Sequence, residues 1–184
     1  SFDYTIHDSG FASIDNYNGI ATEVDVPTEI DGHKVAYIGE DCFRHQVLLR
    51  KINLPGSIVL IETGAFFNCM SLREINLPEG LLYIGNNAFY GAGLRSLNLP
   101  DSVLAINTFA FEGCQHLKTA HLSESLQYTA GYTFSGCPSL ESVNIPDTLD
   151  SISIGMFQGC AKLKEINFPK SLKSIESQSF VVVI

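Results

Sequence analysis

The residues of this chain best suited to ligate metal or act as nucleophiles are its five cysteines and five histidines. Cys69, Cys114, Cys137 and Cys160 recur at one position of a repeating pattern, and Cys42 lies one residue before the matching phenylalanine. If repeating units stack, like cysteines come about 5 Å apart, inside disulfide range. An odd total leaves at least one thiol free, and cysteine is among the most buried residue types, so stacked buried thiols are expected. Zinc needs ligands converging on one point, whereas a column aims all its sulfurs one way, so no metal is expected and no cofactor is implied. His7, His33, His45, His116 and His121 occupy unrelated positions, and no H-E-x-x-H, G-x-S-x-G or phosphate-loop string occurs. No catalytic residue is assigned, and the chain is read as non-enzymatic. The recurring acids Glu79, Asp101, Glu124 and Asp147 are read as solvated, since calcium requires roughly 6 to 8 oxygens around one point.

Composition narrows the partners. A chain of 184 residues with 45% hydrophobic and 17% charged content is globular in type. A net charge of −9 and a pI near 4.9 exclude nucleic acid, whose phosphates need clustered Lys and Arg. The acidity is uneven: residues 1–49 hold nine acids against Lys34 and Arg44. The longest apolar run, Phe180-Val181-Val182-Val183-Ile184, falls far short of the ~20 residues of a membrane-spanning helix, so no membrane insertion by this chain is expected.

What must position these residues is a repeat. Phe43, Phe66, Phe89, Phe111, Phe134, Phe157 and Phe180 are spaced by 23, 23, 22, 23, 23 and 23 residues, and Ile38, Ile61, Ile84, Ile106, Thr129, Ile152 and Ile175 keep the same steps. A third column, Pro55, Pro78, Pro100, Ser123, Pro146 and Pro169, follows segments such as Ile52-Asn53-Leu54. Alternation of apolar and polar residues there marks a strand with one buried face, and the proline ends its ladder. The stretch before each Ile fits a second short extended segment. Two residues past each Phe stand His45, Asn68, Gly91, Gly113, Gly136 and Gly159, types that accept positive φ at a sharp turn. A 23-residue unit cannot bury its own apolar side, so units must stack with parallel strands ~4.8 Å apart, rising roughly 35 Å over seven coils.

The assembled pattern, I-N-L-P, an anchor Ile and A-F-x-G/N-C as in Ala65-Phe66-Phe67-Asn68-Cys69 and Met156-Phe157-Gln158-Gly159-Cys160, resembles the BspA-like leucine-rich repeats, also called the Treponema pallidum type. The resemblance covers residues 20–180. Departures are Gln46 and Ala92 for Cys, Ser123 for Pro, and Thr129 for the anchor Ile, where irregular packing is expected. It implies a mainly β chain with short turns or 3-10 segments, wound as a right-handed parallel β solenoid of about six to seven coils. It also implies a cell-surface or secreted, non-catalytic protein that binds host or matrix proteins. A structural spacer or self-assembling scaffold is the second reading, and an enzyme accessory domain a distant third.

Residues 1–19 break the period. Alternation on either side of Asp8-Ser9-Gly10 predicts a β-hairpin cap, with the solenoid over residues 20–184 completing one domain. Five residues inserted around Asp31-Gly32-His33 would complete the cap. The last unit stops within a repeat, so the expectation is that either the parent chain continues or this end is covered by pairing, since an uncovered apolar edge invites aggregation or dimerisation. Two surface strips are candidate contacts. Asn53, Asn76, Asn98, His121, Asn144 and Asn167 share the outward position of the first strand, either as a ladder that bonds the stack or as a polar binding strip. On the second segment, Tyr37, Val59, Leu60, Leu82, Tyr83, Leu104 and Tyr128 would form an apolar patch of roughly a few hundred Å², giving way to Asp150-Ser151 and Lys173-Ser174 in later coils. Either a protein contact lies there, with a dimer mate or a ligand, or half of these side chains pack under a loop.

Overall fold

A computed structural model describes residues 1–182. The last two residues of the terminal apolar run, Val183 and Ile184, lie outside the described residues. The chain winds as a parallel β-solenoid of about seven turns, with no helix among the described residues. It opens with a hairpin, β1 (Phe2–Ile6) antiparallel to β2 (Ala12–Tyr17), followed by β3 (Glu23–Asp25), β4 (Glu29–Ile30) and β5 (His33–Ile38). Each later coil contributes a three-residue strand and then a two-residue strand. These are β6 (Lys51–Asn53) and β7 (Leu60–Ile61), β8 (Glu74–Asn76) and β9 (Tyr83–Ile84), β10 (Ser96–Asn98) and β11 (Ala105–Ile106). Then come β12 (Thr119–His121) and β13 (Tyr128–Thr129), β14 (Ser142–Asn144) and β15 (Ser151–Ile152), β16 (Glu165–Asn167) and β17 (Ser174–Ile175).

The three-residue strands stack on one wall and the two-residue strands on another, each paired in register with its counterpart one coil away, as in Ile52↔Ile75 and Ile61↔Ile84. The period seen in sequence thus becomes vertical columns. Phe43, Phe66, Phe89, Phe111, Phe134 and Phe157 are at most 1% exposed, and their rings stack nearly parallel with centroids 5.0 to 5.9 Å apart. The hairpin closes one end of this ladder: Tyr17 stacks on Phe43 at 5.3 Å and Phe2 meets the same ring edge-on. Its strand β2 joins β5 in parallel, Ile14 opposite Ile38. Far along the axis Phe168, Ile175 and Phe180 stay 38 to 51% exposed.

Turn chemistry follows the sequence. His45, Asn68, Gly91, Gly113, Gly136 and Gly159 all have positive φ, between 55° and 74°. A second left-handed column, two residues before each Phe, escapes simple reading: Asp41, Gly64, Asn87, Phe109, Tyr132, Gly155 and Gln178 have φ from 54° to 64°.

Two seams interrupt the walls. The first wall parts between β8 and β10, leaving separate sheets β3-β6-β8 and β10-β12-β14-β16. The cause is the 22-residue unit, one residue short between Ala92 and Leu94. There Gly93 presses so close to the Met70 carbonyl that a Cβ would sit 2.2 Å from its oxygen. The amides of Arg73, Lys118, Glu141 and Lys164 each donate to the preceding coil, whereas Arg95 makes no such bond among the described residues. Ile75 and Leu77 are consequently half-buried where Ile52 and Leu97 are buried, and a groove of about 360 Å³ opens over β6, β8 and β10. The second wall parts between β13 and β15, at Thr129. Hydroxyls replace the lost ladder: Ser153 Oγ lies 3.3 Å from Thr129 Oγ1 and donates to the Ala130 carbonyl at 2.9 Å.

Candidate binding surfaces

On the second wall, strand pairing sets Tyr37, Leu60, Tyr83, Ala105 and Tyr128 in one file, each directly opposite the next. Beside it runs a file in which Val59 donates to Ala36, Leu82 to Val59, Leu104 to Leu82 and Gln127 to Leu104. None of the seven apolar candidates is buried: Tyr83 is 45% and Tyr128 56% exposed, and Tyr37, Val59, Leu60, Leu82 and Leu104 are half-buried. Leu60, Tyr83 and Tyr128 face outward because each precedes a buried residue of its strand, Ile61, Ile84 and Thr129, while Val59, Leu82 and Leu104, one residue before that file, stay half-buried beside it. Beyond the seam at Thr129 the surface turns polar, with an exposed Lys173–Asp150 ion pair at 3.1 Å.

Three of the outward asparagines of the first wall are engaged within the chain, two of them with backbone. Asn76 accepts from the Leu54 amide at 2.7 Å and donates to the Leu54 carbonyl at 2.9 Å, Asn144 accepts from the Leu122 amide at 2.9 Å, and Asn53 donates to Asp25 at 2.6 Å. Asn98, His121 and Asn167 are exposed without equivalent bonds among the described residues, and the seam between β8 and β10 divides the strip between Asn76 and Asn98.

All five thiols are free and buried. Cys69, Cys114, Cys137 and Cys160 donate to the phenylalanine carbonyl of the preceding coil, Phe43, Phe89, Phe111 and Phe134, at 3.0 to 3.3 Å. Burial pushes the Cys69 and Cys160 thiols up to about 12 and Cys42 higher, conditions opposite to those of a reactive thiolate. Among the described residues no group of His, Cys, Asp and Glu is arranged to hold a metal. In the hairpin, His7, Ser13 and Asp15 come together, but Ser13 Oγ donates to Asp15 at 2.5 Å and accepts from His7 Nε2 at 2.9 Å. The hydroxyl proton points away from the imidazole, so this is a structural bond network rather than a primed nucleophile.

One surface was missed in the sequence. Phe109 and Tyr132, at φ +59° and +60°, hold a conformation that costs bulky side chains about 1 to 3 kcal/mol each. Their rings stack at 5.3 Å, half-exposed, and the Tyr132 ring lies so close over Gly155 that a Cβ there would sit 2.3 Å from it. Both line an open groove of about 760 Å³ with Glu112, Ser135 and Gln158. Burial pushes the Glu112 carboxyl above its ordinary value, partly offset by the Ser135 hydroxyl. The signal available was a break in composition: two aromatics in a column otherwise filled by Asp, Gly, Asn and Gln.

Residues 36–153 and 83–182 match the BspA type leucine rich repeat region, in six copies. No curated protein matches the sequence. Among solved structures, a T. pallidum leucine-rich-repeat protein superposes with a TM-score of 0.86 at 30% identity, covering 95% of this chain and 82% of that one. A leucine-rich-repeat protein of Bacteroides ovatus gives 0.69 at 23% identity over 95% and 53% of the two chains. The pneumococcal vaccine antigen PcpA gives 0.53 at 18% over 94% and 44%, and at these two identities the likeness is one of fold alone. With stacked coils, phenylalanine ladder and proline-ended strands all in the matched span, the chain belongs to the BspA-type leucine-rich-repeat family.

Proposed function

We propose that this chain is a non-catalytic protein-binding module, displayed at a cell surface or secreted, that holds a host or matrix protein against the second-wall strip. The observation that carries the reading is the unbroken file Tyr37–Leu60–Tyr83–Ala105–Tyr128, flanked by Val59, Leu82 and Leu104, which leaves Tyr83 and Tyr128 about half exposed to solvent. Tyrosine supplies large contact area at low entropic cost and is enriched at interfaces. Family membership supports the extracellular setting. The same strip, or the exposed Phe168, Ile175 and Phe180, would serve for pairing with a second copy. A structural spacer is the alternative, favoured by the use of Asn76 and Asn144 to bond adjacent coils rather than face solvent freely.

Capture of purified extracellular-matrix proteins separates the two. The wild-type chain should retain at least one of them and Leu82→Asp/Tyr83→Ser should retain it about tenfold less, both proteins melting alike. Equal and negligible capture by both would remove the adhesion reading. Sedimentation of the two proteins tests pairing through the strip: only the wild type should self-associate.

A further inference from the structure

At the seam of the first wall, backbone groups that pair in neighbouring coils are left open. The carbonyls of Arg50, Lys118 and Glu141 each accept two amides of the following coil, whereas that of Arg73 accepts none among the described residues. The Arg95 amide, which would complete the missing bond, has no partner among them either. The Leu77 amide also donates to no protein group among the described residues, while the matching amides of Leu54, Leu99 and Leu122 reach Asn76, His121 and Asn144. The Arg73 carbonyl and the Leu77 amide bracket the open edge of β8, and the Arg95 amide faces the seam from the β10 side. Such groups are costly to bury unless paired. The groove between the strands has a partly apolar floor, Ile75 and Leu77 being half-buried. Its rims carry opposite charge. Arg73 and Arg95 are exposed at the amino-terminal ends of the two strands and join no ion pair among the described residues, while Glu74 lies 3.8 Å from Lys51. Glu79 and Asp101 are exposed just past the prolines at the opposite ends.

We infer that this seam is a docking site for an extended peptide segment of a partner protein, laid along β8 with an acidic residue at the Arg73–Arg95 rim, apolar residues level with Ile75 and Leu77, and a basic residue at the Glu79–Asp101 rim. An extended chain supplies what the seam lacks, an N–H for the Arg73 carbonyl and carbonyls for the Leu77 and Arg95 amides, at strand spacing. Open strand edges are templates for pairing of this kind. Other occupants answer less of the site. A helix keeps its backbone groups bonded internally and would leave all three open. A sulfated glycan would satisfy Arg73 and Arg95 but would meet Glu79 and Asp101 across the strands.

Fluorescence anisotropy on the whole chain tests the assignment with three probes: a labelled EEVTVKK peptide, the same peptide N-methylated at both valines and the threonine, and a labelled heparin hexasaccharide. The unmodified peptide should bind. The methylated one should bind at least about tenfold more weakly, because its charges are unchanged and only its backbone pairing is blocked. Arg73→Glu/Arg95→Glu, two exposed positions, should also weaken binding at least about tenfold while melting within about 2 °C of the wild type. Should that variant fold poorly, the two peptides compared on the wild-type chain decide the matter alone. Absence of peptide binding, equal binding of the methylated peptide, undiminished binding by the variant, or binding of the heparin fragment alone would overturn it.

Discussion

Replacing Phe111 with alanine should cost far more than the same change at Phe180, although the two residues hold one repeat position. Phe111 is fully buried, its ring held between Phe89 at 5.2 Å and Phe134 at 5.5 Å. Deleting a buried phenylalanine side chain costs about 3 to 5 kcal/mol, the sum of lost transfer energy and an unfilled cavity. The upper end applies here, because the flanking rings are fixed by their own stacking and cannot collapse into the void. Phe180 is 38% exposed and, among the described residues, is stacked on one face by Phe157 at 5.5 Å, with Phe168 edge-on at 6.2 Å. Water already reaches that site, so its loss should cost roughly 1 to 2 kcal/mol. For a domain of this size each kcal/mol lowers the melting temperature by about 2 to 4 °C. Phe111→Ala should therefore melt about 10 to 20 °C below the wild type and Phe180→Ala about 2 to 8 °C below it. Circular dichroism melts of the three proteins measure this directly. Shifts equal within about 2 °C would mean that the ladder does not act as a chain of nearest-neighbour contacts, and the packing argument would fall.

Two further outcomes follow from the hydrogen-bonding and burial of individual side chains. Asn76→Ala strips both the amide and the carbonyl of Leu54 of a partner and should destabilise by about 1 to 3 kcal/mol in urea titration, whereas Asn98→Ala, across the seam, should cost less than about 0.5 kcal/mol; similar values would refute the bonding role given to Asn76. Because Cys69 and Cys160 hold their protons up to about 12 in the fold against an ordinary thiol value of 9.0, their stabilisation is full below about pH 9 and is lost as pH rises toward 12, so the urea midpoint should fall across that window; iodoacetamide at pH 8 should label no cysteine of the native chain and all five in denaturant, and native labelling would contradict the burial.

Stacking was legible because it depends on residues whose spacing cannot be kept by accident: the Phe column sets the coil, the Pro column ends the strand, and the residue two past each Phe turns the chain. Thr129, the one polar residue in the isoleucine column, marks the level at which the second wall parts. The other seam was written in the single 22-residue step, but its consequence depends on which side of the coil absorbs the missing residue, and only the close approach of Gly93 to Met70 decides that. The strip from Tyr37 to Tyr128 was legible by comparing coils, since its apolar residues fill positions that later coils give to Asp150-Ser151 and Lys173-Ser174. The groove at Phe109 and Tyr132 was not, because left-handed backbone is read from Gly and Asn, and two aromatics in that column hide the turn they occupy.

The seams lie on different walls and at different heights, yet at each level the other wall remains paired and the rings remain stacked, Phe89 on Phe111 and Phe134 on Phe157. A rod slit on alternate sides but continuous along its spine is stiff in tension and compliant in flexure. Bent, such a stack yields first at the slits, in two separate directions, before any coil is pulled open.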